Sequence, residues 1–251
     1  MNYNYYMLNH KTIDRINRDI YKKKKIIKLV YKNYYSLIKN NLLKKKNYHI
    51  LEIGSGGGNI KKVIPECVTS DQFRNKNIDR IENIYKIKFN NNSLSNIILI
   101  DVFHHLEFPL VALNEIDRVL IKHGRLIMIE PAMGLIPRII YKIFHYEPNG
   151  FNIKINKRKK LPINFKFNKY FASQSFPWRI FFLNELKLKK KFNIKKVTLF
   201  SDFAFLLSGG YSYRSFYPEV FYPVIKYLDK ILSVISLKIF SSRMLVVIEK
   251  I

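Results

Sequence analysis

Apolar side chains recur at three- and four-residue intervals from Ile13 to Leu42. Ile13, Ile16, Ile20, Ile27, Val30, Tyr34, Ile38 and Leu42 share one helical face and most lysines fall on the other. That spacing predicts an N-terminal helical arm within residues 1–47. From Tyr48 the period changes. Tyr48–Ile53 reads as a strand, Asn59–Ile64 as a short helix stopped before Pro65, and Val68–Asp71 as a second strand ending in an acid. A third, weakly patterned strand is expected at Ile81–Ile84. Ile97–Ile98–Leu99–Ile100 is continuously apolar, as in a strand buried on both faces of a parallel sheet. Pro109 opens a helix at the position where its missing N–H costs nothing. Leu110, Leu113, Ile116 and Leu120 mark the buried stripe of that helix, and Lys122, His123 and Gly124 predict its last turn and stop. Leu126–Ile129 is the fifth strand.

Strands alternating with helices predict an α/β fold: a mostly parallel seven-stranded sheet with helices on both faces and right-handed crossovers. After Pro131 the pattern loosens. Leu135–Tyr146 is read as a helix, Asn149–Trp178 as a basic, aromatic insert or lid, Leu183–Phe192 as a helix and Lys196–Leu207 as a strand. Pro223–Phe240 is an amphipathic helix and Met244–Ile248 a closing strand. Val224, Ile225, Leu228, Ile231, Leu232 and Ile235 lie on one side of that helix; the expectation is that they pack on the sheet, with an anionic membrane as the alternative. No repeat or linker divides the chain, so one domain is expected: an arm (1–47), a core (48–131), an insert (132–195) and a C-terminal part (196–251).

The segment Leu51-Glu52-Ile53-Gly54-Ser55-Gly56-Gly57-Gly58 changes the picture from fold to chemistry. Its glycines let backbone lie flat against a ligand. A loop of this kind after the first parallel strand is where open α/β sheets bind nucleotide-like cofactors. Asp71 follows at a distance suited to ribose hydroxyls. Asp101-Val102-Phe103-His104-His105 ends the fourth strand over the same crevice.

The run Ile50–Glu130 resembles the class I S-adenosylmethionine-dependent methyltransferases, in particular the type 11 group with its Rossmann-like sheet. The resemblance rests on Glu52-x-Gly54-x-Gly56-x-Gly58, Asp71, Ile100–Leu106, Leu113-x-Glu115-Ile116-x-Arg118-Val119-Leu120 and Gly124-Arg125-Leu126. It implies S-adenosylmethionine as cofactor, with Glu52, Gly54, Ser55, Gly56, Gly58, Asp71 and Asp101 around it. An Asp commonly takes the adenine amino group in this family. Asn83 stands at that place here, and Asp79 is the other candidate. His105 is the candidate base, because imidazole titrates near neutrality, while His104 packs or lines the cofactor. His145-Tyr146-Glu147-Pro148 and Leu207–Arg214 are further pocket candidates, with Tyr213 and Arg214 facing an acceptor. Trp178 is read as core or lid. No metal is expected, since no zinc-ligand spacing is present.

Composition bounds the rest. At 251 residues and 48% hydrophobic the chain can bury one sizeable core. Cys67, the single cysteine, excludes a disulfide framework and a Cys-rich zinc site. Met1–His10 has no apolar signal core, and no apolar stretch is long enough to span a bilayer, so a cytoplasmic protein is expected. The formal charge is +27, from 45 basic and 18 acidic residues. The lysines spread over Lys22–Lys25, Lys44–Lys46, Lys157–Lys160 and Lys187–Lys191 without forming a nucleic-acid motif. The charge is therefore read as compositional, with an anionic acceptor, an acidic membrane or nucleic acid as alternatives. No Asn/Asp-Pro-Pro-Tyr/Phe motif supports the last of these. The favoured expectation is methyl transfer to O or N of a small molecule such as a sugar or lipid precursor. A nucleic-acid methyltransferase and a non-catalytic partner protein are the rivals.

Overall fold

The computed structural model describes residues 10–145, 147–165, 170–188 and 191–251. Met1–Asn9 and Tyr146, on which two expectations fell, lie outside them. The elements in chain order are α1 (His10–Lys23), α2 (Lys25–Lys39), β1 (His49–Ile53), β2 (Cys67–Asp71), β3 (Arg80–Ile81), β4 (Leu94–Ile100), α3 (Pro109–Val119), β5 (Leu120–Pro131) and α4 (Leu135–Phe144). They continue with α5 (Ser175–Pro177), β6 (Phe192–Phe200), α6 (Phe203–Leu207), α7 (Tyr222–Ile235), α8 (Leu237–Phe240) and β7 (Arg243–Lys250).

The strands form a seven-stranded sheet in the order β3-β2-β1-β4-β5-β7-β6. Pairs among β1–β5 are parallel, and β7 runs antiparallel to both β5 and β6. Strand order reverses between β1 and β4, which places a crevice at their carboxyl ends. Alternation along the central strands divides the core into two layers. Ile97, Leu99, Leu126, Met128, Met244, Val246 and Ile248 pack on one face with Ala112, Leu113 and Ile116 of α3. Ile98, Ile100, Ile127, Ile129, Leu245 and Val247 face the other way, onto Ile26, Val30, Tyr34 and Ile38 of α2. The helical arm is thus half of one core layer.

Six expectations need correction. The arm is two helices: Lys24 adopts extended backbone (φ −93°, ψ 103°) and breaks it. The 59–64 helix is only a 3-10 turn over Asn59–Lys62, and the third strand is limited to Arg80–Ile81. Helix α3 ends at Val119. Leu120 pairs with Leu94 of β4 and is fully buried, so the strand ladder takes the residues read as a last helical turn. Lys122–Gly124 lie in the stretch where the β4–β5 register shifts, with His123 at φ 64°. In the C-terminal half, residues 183–187 form no helix, residues 189–190 lie outside the described ones, and β6 stops at Phe200, after which Phe203–Leu207 coils into α6. Trp178 packs on the core and stacks on Phe182, with ring centroids 4.3 Å apart.

Helix α7 also departs from expectation. Only Tyr222 and Asp229 of α7 are buried. Asp229 accepts the N–H groups of Phe203 (2.6 Å) and Ala204 (3.2 Å), so the helix docks through its acid and caps α6. Val224, Leu228, Ile231 and Ile235, read as core, face outward.

Candidate functional site

Two glycines of the β1 loop are dictated by geometry. Gly54 sits at φ +78°, where a Cβ would lie 2.3 Å from Val102 Cγ2. Gly58 sits at φ +64°, where a Cβ would lie 2.1 Å from the Asn77 carbonyl oxygen. The loop is locked to the end of β2: Ser55 N–H donates to the Ser70 carbonyl (2.9 Å), Ser70 N–H to Ser55 Oγ (3.0 Å) and Gly56 N–H to Asp71 Oδ2 (3.0 Å). Gly54, Ser55 and Gly56 line a cavity of about 810 Å³; Gly58 shapes the loop from behind. That volume is within the range of small-molecule and cofactor sites.

Glu52, Asp71, Asn83 and Asp101 all reach this cavity. Glu52 Oε2 is buried and has no hydrogen-bond partner among the described residues. Burial pushes its carboxyl up to about 7, countered by Ser55 and assisted by the charge of Asp71. A buried carboxylate oxygen without a donor is costly unless a ligand completes it. Asp71 is also raised by burial, with the N–H groups of Gly56, Phe73 and Gln72 and the charge of Arg18 opposing. Asp79 is engaged elsewhere: it accepts Thr69 N–H (2.9 Å) and pairs with Lys61 (2.6 Å), away from the cavity wall. Asn83 is therefore the one of that pair on the cavity. Asp101, at φ +54°, is ion-paired with Arg243. Arg243 is itself buried, with its guanidinium 4.2 Å from the Phe205 ring centre. Sequence reading gave no role to this arginine.

The histidines gather around two buried acids. Glu130 Oε1 accepts the N–H groups of Val102 (2.9 Å) and Phe103 (2.7 Å), and its Oε2 meets His104 Nδ1 at 2.7 Å. His104 Nε2 lies 3.4 Å from Glu147 Oε2. Burial pulls His104 down, but hydrogen bonds and charge from Glu130 and Glu147 outweigh it and lift the ring to about 10. His104 is thus an imidazolium with both N–H groups committed, and not a base. Glu147 also takes Tyr170 Oη–H and Gln174 Nε2–H. Burial favours its neutral form, yet the charges of His105, His104 and His145 hold it well below the usual carboxylate range. His145, on the cavity wall, is lowered by burial and by the nearby charges of His104 and Arg243, and its Nδ1 accepts Glu147 N–H (3.1 Å).

His105 differs from its neighbours. It is half-buried on the cavity wall, and its Nδ1 faces the Phe171 carbonyl at 3.1 Å. A carbonyl only accepts, so Nδ1 carries a proton, and Nε2 lies 3.8 Å from Glu147 Oε1. Ligand atoms of His104, His105 and Glu147 lie within 4.8 Å of one another, as a cation site requires. While His104 holds both protons it offers no lone pair to a metal.

The arm and the C-terminal half roof the cavity. Ile13, Arg18 and Tyr21 of α1 line it, as do Tyr31 and Tyr35 of α2, and Tyr211 closes on Tyr31 edge-on at 6.0 Å. Lys24 Nζ donates to the carbonyls of Ser208 (2.8 Å), Gly210 (2.6 Å) and Tyr213 (2.7 Å), which pins the glycine turn to the arm. Tyr213 lies on the wall as expected; Arg214 is exposed and off it. From the insert, Phe165, Tyr170 and Phe171 reach the cavity.

Comparison with known proteins agrees with this geometry. Residues 51–128 match the methyltransferase domain family Methyltransf_11. No curated protein matches the chain. Among solved structures, an S-adenosylmethionine-dependent methyltransferase from Thermotoga maritima superposes with a TM-score of 0.53 at 14% identity, covering 96% of this chain and 98% of that one. A proposed sarcosine dimethylglycine methyltransferase from Galdieria sulphuraria gives 0.51 at 13% identity, covering 95% and 98%. The methyltransferase in a Haloferax volcanii complex with the Trm112 activator gives 0.52 at 8% identity, covering 97% and 98%. These likenesses are of fold. Residues 51–128 thus match a methyltransferase domain, and they sit in a 3-2-1-4-5-7-6 sheet whose fold is shared with S-adenosylmethionine-dependent methyltransferases.

Proposed function

We propose that this chain methylates O or N of a small-molecule acceptor, such as a sugar, a lipid precursor or another metabolite. The observation that carries the reading is the unpartnered, buried Glu52 oxygen beside the glycine loop, in the cavity that His105 also faces. Glu52 would hold the cofactor's amino group, Asp71 its ribose hydroxyls and Asn83 its adenine. Bound there, S-adenosylmethionine supplies an electrophilic methyl group on sulfonium. The protein's main task is to orient two reactants, worth about 7–11 kcal/mol when geometry is right. His105 Nε2 takes the acceptor's O–H or N–H proton, and Glu147 stabilises the imidazolium that results. Tyr213 and His145 border the acceptor space, and the 132–195 insert closes over it. The wall is rich in Tyr and Phe, which suits a small acceptor better than a phosphate backbone.

The test is calorimetric titration with S-adenosylmethionine and S-adenosylhomocysteine, with NAD as control. Micromolar binding of the first two, lost in Asp71→Ala, supports the reading; a folded protein that binds neither overturns it.

A further inference from the structure

Among the described residues, none covers the apolar stripe of α7. Val224, Tyr227, Leu228, Ile231, Val234 and Ile235 follow helical spacing and all are exposed, Val234 to 87% and Tyr227 to 65%. The helix is held from its opposite side by Asp229 and Tyr222. Helix α4 repeats the arrangement: Pro137 and Tyr141 are buried, while Leu135, Ile139 and Ile143 face out. Helix α8 packs against both and adds Ile239. Three helices joined through α8 thus present apolar residues to solvent.

Charge identifies the occupant. Across α4, α7 and α8 the only acid is Asp229, which is buried and paired with Lys226. Arg138, Lys142, Lys230 and Lys238 on the same helices are exposed. An apolar stripe flanked by cations without acids, in a chain of net charge +27, matches an anionic lipid surface. A second copy fits less well, because a two-fold interface would set the same lysines against each other. Among the described residues no helix is long and apolar enough to cross a membrane, so the contact would lie in the interface plane. Phe144 of α4 and Phe216 are both exposed and on the cavity wall, so the face borders the cavity.

We infer that the α4–α7–α8 face docks on an anionic membrane, with the cavity at the lipid surface. The test is co-sedimentation of the full chain with phosphatidylcholine vesicles, with and without phosphatidylglycerol, at physiological ionic strength. Pelleting is expected only with the anionic vesicles, reduced about tenfold or more by Tyr227→Glu with Val234→Glu. Both side chains are largely exposed, and unchanged calorimetric affinity for S-adenosylmethionine shows that the variant is folded. Three results overturn the inference: no pelleting with anionic vesicles, pelleting unaffected by the substitutions, or equal pelleting with neutral vesicles. Sedimentation of the lipid-free protein as a dimer that the same substitutions dissociate, without vesicle binding, would assign the face to self-association.

Discussion

Asp71 and Glu52 are buried carboxylates 19 positions apart, and their surroundings separate their tasks. Asp71 is held by backbone donors, so Asp71→Ala removes both the proposed ribose acceptor and the anchor of Gly56. The expected loss of cofactor affinity is about 1.5–3 kcal/mol, read by calorimetry, with the circular dichroism spectrum unchanged. Glu52 instead awaits a partner, and its pKa near 7 gives two opposed pH effects. The folded state prefers the protonated acid, so the stability of the cofactor-free protein falls by a few kcal/mol as pH rises from about 4.5 through 7. Affinity for the cofactor's ammonium rises over the same interval. Thermal melts with and without S-adenosylmethionine should show both trends, and Glu52→Gln should flatten them. His105→Ala should lower kcat by about 10²–10⁴ while leaving cofactor affinity intact, as single-turnover and binding measurements will show. The place of these three residues on the cavity wall was legible because each sits at or beside a strand's carboxyl end. Arg243 was not: it follows two serines at a strand start, and only β7 pairing beside β5 brings it under Asp101.

At the scale of elements, the readable strands were those buried on both faces, where an unbroken apolar run has one explanation. The errors came where local signals were real but outvoted. Lys122-His123-Gly124 carries the marks of a helix end, yet the β4 ladder claims Leu120 first. The α7 moment announces an apolar face without saying which way it points; Asp229, binding α6, decides that. Lys24 is invisible among four consecutive lysines, and its importance lies in three carbonyls 184–189 residues away. Lys24→Met should release the Ser208–Tyr213 turn. Faster amide exchange across that turn, weaker cofactor binding and a stability loss of about 1–3 kcal/mol are expected.

For the molecule as a whole, the family's part and the chain's own part divide near Pro131. Residues 51–128 supply the cofactor side, and that half was readable from motifs in sequence order. The rest of the cavity wall is assembled from the arm, the insert and the 203–216 region, which no local pattern joins. The +27 charge was read as compositional, and over much of the surface nothing in the structure assigns it another use. On the α4–α7–α8 face it coincides with outward apolar residues, and there the vesicle experiment gives it a function to win or lose.

The roof of the cavity also bears on how the protein is made. A ribosome delivers α1 and α2 first, but several of their hydrogen-bond partners come from the last quarter of the chain: Asp202 for Tyr34, Tyr222 for Asn33, and the 208–213 turn for Lys24. The arm can pack on β4 and β5 earlier, but the Tyr34–Asp202 bond must wait until about 170 further residues have emerged. The cofactor cavity closes only when synthesis has passed Tyr222. A chain arrested earlier carries the whole glycine loop and still lacks the site.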